Sequence, residues 1–174
     1  TRYSKTAIFL HWFIAILILA ALFLGLSLED MALSPAKIAR INYHKWLGIS
    51  VLWLAAVRLG WRLTHPAPAM PEKMASWEKK AAHFGHLALY FFMFAIPLSG
   101  WLMSSAKGYP VVYLGLFELP NLVQKSDSLA DIFKEMHELL AWSMVALLTV
   151  HVLAALKHQF IDKTPIFARI LPSC

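Results

Sequence analysis

Four of the eight histidines in this chain stand where imidazoles could act in pairs. His137 and His151 are 14 residues apart; on one helix that offset is roughly 1400°, about 40° short of four full turns, so both project from the same face. The same offset separates them by about 21 Å along the axis, which makes two heights rather than one site. His11 stands near the start of one apolar run and His44 near the start of the next. If those runs cross in opposite directions, His11 comes level with His151 and His44 with His137. Facing neutral imidazoles, with no carboxylate or thiolate at the same depth, suit the two axial positions of a b-type haem, and two couples imply two haems. Ala15, Gly48, Ala141 and Ala155 each follow one of these histidines by one turn and leave flat clearance for a porphyrin. A lone histidine is as readily a buried hydrogen-bonding group; the matched depths favour ligation, because a structural role does not tie histidine depth to helix direction. Zinc is the weaker reading, since it draws three or four ligands together and no Asp or Glu lies at mid-depth.

The elements that must position these side chains are membrane spans. The chain has 174 residues, 59% hydrophobic and 15% charged, with a mean hydropathy of +0.59, values unlike those of a soluble domain. Thr6 to Leu28, Ala81 to Ala106 and Leu139 to Leu156 contain no Asp, Glu, Lys or Arg, and each is long enough for a bilayer core of roughly 30 Å. A fourth segment, Ile41 to Leu63, carries Lys45, Arg58 and Arg62 near its ends, where long basic side chains reach the interface. The expected helices are about 6–28, 39–63, 80–104 and 131–158. The fold class is all-α: an integral membrane four-helix bundle with two b-type haems between the helices, residues 1–174 forming a single transmembrane cytochrome b domain. The first run ends at no small-residue cleavage site and is interrupted by His11, so it is expected to remain in the mature protein. Internal repeats and low-complexity tracts are absent.

Charge sets the orientation. With an even number of crossings the termini share a side. That side holds Arg2, Lys5, Arg58, Arg62, Lys73, Lys79, Lys80, Lys157, Lys163 and Arg169, ten basic residues; the other holds Lys37, Arg40, Lys45, Lys107, Lys125 and Lys134, six. Only Glu72, Glu78 and Asp162 of the ten acids fall on the first side. The positive-inside rule then makes both termini cytoplasmic. The net charge of +6 marks orientation in this setting, and nucleic acid is not an expected partner. The single cysteine, Cys174, excludes an intramolecular disulfide, a Cys-x-x-Cys-His haem attachment and a thiolate-held iron–sulfur cluster.

Pro66, Pro68 and Pro71 make the 64–79 linker an extended connector. The stretch from Ser105 to Ser128, with Pro110, Pro120 and several apolar residues, reads as an interfacial flap, too short and broken to span. Pro97, with Gly100 three residues on, predicts a kink in helix three. His83 and His86, one turn apart on that helix, compete with His11 as partner of His151. His86 and His158 are candidates for donating hydrogen bonds or protons to a quinone near the inner level, against the alternative of interfacial histidines without a partner. The tryptophans and tyrosines near span ends read as interfacial anchors. Arg58 and Arg62 are expected to face headgroups, or one of them a haem propionate. Lys37, Arg40 and Lys45 beside His44 are propionate partners or a local attractant for a small anion.

With these residues placed, the chain resembles the bacterial cytochrome b561 family, four-helix dihaem proteins of the inner membrane. The likeness runs essentially end to end: Tyr3-Ser4 and Leu10-His11-Trp12; Gly48-Ile49-Ser50 and Val57-Arg58-Leu59 after His44; Ala82-His83-Phe84-Gly85-His86 with Tyr90, Pro97 and Gly100; His137-Glu138, His151, Ala154-Ala155 and His158. The resemblance implies two haem b groups, the inner held by His11 and His151 and the outer by His44 and His137, and favours His11 over His86. It implies an oxidoreductase that passes electrons between a small periplasmic partner and ubiquinone, with superoxide:ubiquinone oxidoreduction as the leading specific reaction. Related cytochrome b subunits instead anchor hydrogenases or formate dehydrogenases, so a redox protein subunit is the alternative partner. A haem-free transporter or structural membrane protein is the third class.

Overall fold

The computed structural model describes residues 2–171; Cys174 lies outside them. Four long helices, α1 (Lys5–Ser27), α2 (Pro35–Thr64), α3 (Ser76–Ala106) and α4 (Asp127–Leu156), are joined by a short hairpin of β1 (Val112–Tyr113) and β2 (Phe117–Glu118) between α3 and α4. A π-helical turn, Lys157–Ile161, continues α4, and a short α5 (Phe167–Ile170) follows. Among the described residues four helices are long and apolar enough to cross a membrane, the last running through the π turn to Ile161.

Three helices begin four residues before the apolar pattern does, and polar caps are the reason. Ser34 Oγ accepts from the Lys37 N–H at 3.2 Å, with Pro35 in the first turn of α2. The Glu78 carboxylate accepts from the Ala75 N–H at 3.1 Å at the start of α3. Ser126 Oγ accepts from the Leu129 N–H at 3.4 Å at the start of α4. The helices thus project beyond the apolar segments they contain.

Consecutive helices pack on one another: α1 on α2, α2 on α3 and α3 on α4. Close backbone approach between α4 and either α1 or α2 is sparse. The core is a cluster of Leu10 and Ile14 of α1, Val51 and Ala55 of α2, Met93 of α3 and Met144 of α4, and it reaches from the level of His11 at Leu10 to a plug at mid-height. Met144 is seven residues from both His137 and His151, so the plug separates the two histidine heights.

Both ends are tied down. Trp12 Nε1 donates to the Ile170 carbonyl at 2.9 Å and the Tyr3 N–H to the Arg169 carbonyl at 3.2 Å, which holds the two terminal segments on one side of the bundle. At the opposite end the expected irregular flap is a hairpin, pairing Val112 with Glu118 and Tyr113 with Phe117. It turns on Leu114 (φ 55) and Gly115 (φ 71). A leucine in left-handed backbone, in place of the usual Asn or Asp, is why no turn signature stood in the sequence. Lys37 Nζ and Arg40 Nη1 are spent on the α1–α2 connection, donating to the Met31 carbonyl at 2.7 Å and to Ser27 Oγ at 3.3 Å.

Truncating the plug should be costly where truncating a lipid-facing residue is not. Met144→Ala is expected to lose about 2–5 kcal/mol and to lower the melting temperature in detergent. Val150→Ala, at a side chain 61% exposed on the same helix, is expected to stay within about 0.5 kcal/mol of the parent.

Candidate functional site

At the first height, α2 and α4 bring His44 and His137 face to face, ring centroids 6.0 Å apart and planes at 86°. His44 Nδ1 lies 2.9 Å from the Ala21 carbonyl of α1, and His137 Nδ1 lies 3.0 Å from the Ile96 carbonyl of α3 and 2.9 Å from Ser99 Oγ. A carbonyl only accepts, so each Nδ1 carries the proton and each Nε2 keeps its lone pair. Ser99 Oγ gives its own proton to Ile96 at 2.7 Å and receives from His137.

Both rings lie against a glycine. A Cβ at Gly25 would come within 3.1 Å of His44 Cε1, and one at Gly100 within 3.1 Å of His137 Cε1. In each case the carbonyl that orients the ring belongs to the residue four before the glycine, Ala21 for Gly25 and Ile96 for Gly100. Pro97 stays within a continuous α3, and the segment expected as a kink also supplies the seat of His137. A Cβ at Gly48, one turn from His44, would meet nothing within 4 Å.

At the second height, His11 of α1 and His151 of α4 are 6.4 Å apart with planes at 56°. His86 of α3 is also near His151, at 5.6 Å and 70°. His83 is exposed, with its ring on Phe84 at 6.0 Å, which leaves His86 as the α3 imidazole at this height. Arg58 does not end among headgroups: Nη2 donates to His11 Nδ1 at 3.0 Å, and the guanidinium groups of Arg58 and Arg62 each lie 5.7 Å from the centre of the Tyr90 ring. A cation one turn inside the span needs an acceptor and an aromatic face, and finds both there. Because a guanidinium only donates, Nδ1 of His11 is an acceptor and its proton sits on Nε2, the reverse of the first height.

Two trans imidazoles on one iron, with metal–nitrogen bonds of about 2 Å and roughly 1 Å more from each nitrogen to its ring centre, stand about 6 Å apart. The couples, at 6.0 and 6.4 Å, are near that separation, as is His86–His151 at 5.6 Å. The donor set therefore fits a b-type haem at each height. At the first height the hydrogen bonds already present Nε2. At the second, coordination through Nε2 of His11 requires loss of its proton or release of Nδ1 by Arg58.

His158 lies on the π turn, apart from these rings. Its Nδ1 is 2.7 Å from Asp162 Oδ2, and Lys157 Nζ bridges Asp162 at 2.7 Å and Glu78 at 2.9 Å. The Lys157 ammonium holds the Asp162 carboxyl below the usual carboxylate range, so the ion pair persists at neutral pH and is lost as pH falls through that lowered value. Glu78, His158 and Asp162 line a cavity of about 300 Å³ with Lys73, Met74 and Thr164.

The fold and the paired imidazoles define a class: membrane helical bundles that hold haem to carry electrons. The comparisons agree. The family model for prokaryotic cytochrome b561 matches residues 2–173. Cytochrome b561 homolog 2 of Escherichia coli (strain K12) is 34% identical over 171 residues, covering 98% of this chain and 91% of the relative. Cytochrome b561 homolog 1 of the same organism is 30% identical over 175 residues, covering 98% and 97%. A probable superoxide oxidase, CybB, of Yersinia pestis is 29% identical over 178 residues, covering 98% and 96%. The chain belongs to the prokaryotic cytochrome b561 family, and is accordingly a multi-pass bacterial membrane protein that binds haem b and transfers electrons.

The glycine seats generate a prediction. Gly25→Ala and Gly100→Ala push on His44 and His137, and each is expected to lower the b-haem content or shift part of the reduced-minus-oxidised spectrum of the purified protein. Gly60→Ala, where a Cβ meets nothing within 4 Å, is expected to leave both unchanged.

Proposed function

We propose that this chain works as a two-haem, quinone-linked electron carrier, with His44 and His137 as axial ligands at one height and His11 and His151 at the other. The observation that carries the reading is the pair of imidazole couples, each at the separation of trans ligands. The basic residues of the terminal side support cytoplasmic termini, so the His44–His137 height is the periplasmic one. The likeness to a probable superoxide oxidase supports superoxide as donor and ubiquinone as acceptor, a balanced exchange in which two superoxide ions give one electron each and one quinone takes two electrons and two protons.

Haem b, when bound, would supply reversible one-electron chemistry, and His11, His44, His137 and His151 would hold it. The protein's own groups supply the rest. Ala21, Ile96 and Ser99 fix the tautomers of His44 and His137 and so aim their Nε2 lone pairs. The plug of Ile14, Val51, Met93 and Met144 keeps water out between the two heights. His158, held by Asp162 at the cavity near the π turn, is the group we assign to pass a proton to a quinone on the cytoplasmic side, with Lys157 holding Asp162 ionised. His86 adds a second imidazole on that side.

Ligand variants test the assignment. Replacing His44 or His137 with Ala is expected to remove one haem and leave the other; His11→Ala or His151→Ala should do the complementary thing, and His86→Ala should keep both. Two haems retained after His11→Ala would move the ligand to α3.

The reaction is tested with the purified chain in vesicles containing ubiquinone. Supplied with superoxide, it is expected to reduce the quinone, and His158→Ala to slow that step by on the order of 10²-fold with both haems retained. An unchanged rate rejects the role of His158. No quinone reduction, together with stoichiometric copurification of a larger redox subunit, would favour an anchor subunit.

A further inference from the structure

Trp46, Ser50, Trp53 and Val57 follow one another at steps of four, three and four residues and make one stripe along α2. Trp53 and Val57 are 58% and 57% exposed, as expected of the bilayer side of a spanning helix, whereas His44 lies roughly 160° away on the interior face. The other half of the stripe is covered by the hairpin. Trp46 Nε1 donates to the Val112 carbonyl at 2.7 Å. Ser50 Oγ gives its proton to the Trp46 carbonyl at 2.8 Å and receives one from the Tyr113 hydroxyl at 2.8 Å. The hairpin therefore lies between α2 and the lipid.

Its outward residues continue the apolar surface of the stripe, with Leu116 and Phe117 exposed to 74% and 65%. Three of its amides are bonded within the hairpin. Gly115 N–H donates to the Val112 carbonyl at 3.2 Å, Leu116 N–H to Tyr113 at 3.0 Å and Leu119 N–H to Val111 at 2.8 Å. Backbone that is satisfied internally is what a lipid environment demands.

We propose that the tip of this hairpin, residues 114–117, is immersed in the adjoining bilayer leaflet at the boundary of headgroups and acyl chains. Lipid is the occupant because the stripe the tip extends is itself lipid-facing. The hairpin supplies the acceptor for the Trp46 indole and the second partner for Ser50, two polar groups that would otherwise stand against hydrocarbon. The proposal is independent of the haem assignment.

Cysteine labelling tests it. The chain has one cysteine, Cys174, so Cys174→Ser with Leu116→Cys leaves a single site for a polarity-sensitive fluorophore. In phosphatidylcholine vesicles its emission should lie to the blue of the same label at the exposed position Gln124→Cys, and a lipid bearing a nitroxide near its headgroup should quench it more than aqueous iodide does. Equal iodide quenching at both positions, with the nitroxide lipid ineffective, would overturn the proposal. Blue-shifted emission that neither quencher reaches would also overturn it, because the tip would then face protein. Phe117→Cys repeats the measurement if the Leu116 variant does not fold.

Discussion

An imidazole at membrane depth must find a partner for each ring nitrogen, because hydrocarbon offers none and an unsatisfied polar group there costs several kcal/mol. That constraint organises this bundle. For His44 and His137 the Nδ1 protons go to main-chain carbonyls of α1 and α3; for His11 the Nδ1 lone pair is met by Arg58. At the first height this leaves Nε2 of each ring as the unprotonated nitrogen, the one a haem iron would take.

Helix packing follows from the same requirement. α4 packs on α3 and makes few close approaches to α1 and α2, the helices that carry the opposing histidines, and the plug of buried side chains lies between the two heights. Glycines at 25 and 100 let the rings of His44 and His137 reach the carbonyls of the neighbouring helices. The two heights are not equivalent. One is served by neutral main-chain dipoles, the other by a fixed cation packed on Tyr90 together with a third imidazole, His86. A guanidinium bonded directly to a ring nitrogen at one height, and main-chain carbonyls at the other, is an asymmetry on which a directional relay can be built.

The helix count, the shared face of His137 and His151 and the opposed running of helices one and two were legible in the sequence, because hydrophobic runs and a 14-residue spacing are signals that survive without tertiary information. The seats of the histidines were not. Ala21 and Ile96 act through main-chain oxygens, which every residue has, and Gly25 looks like any glycine in an apolar run. Gly100 drew notice only as half of a kink. Periodicity gives the depth of Arg58 but not the neighbour it faces, so the expectation of headgroups or a haem propionate misses His11 and Tyr90. The early helix starts were missed because apolar runs mark where lipid begins, whereas Ser34, Glu78 and Ser126 mark where helices begin. Leu114 in left-handed backbone hid the hairpin.

Low-temperature electron paramagnetic resonance of the oxidised, purified protein, read beside its haem content, tests most directly for two bis-imidazole sites per chain. Two b-type haems per polypeptide are expected, both low-spin, with the near-perpendicular His44–His137 planes giving the more anisotropic of the two signals. A single haem, no haem, or a high-spin signal from an iron with an open axial position would contradict that assignment.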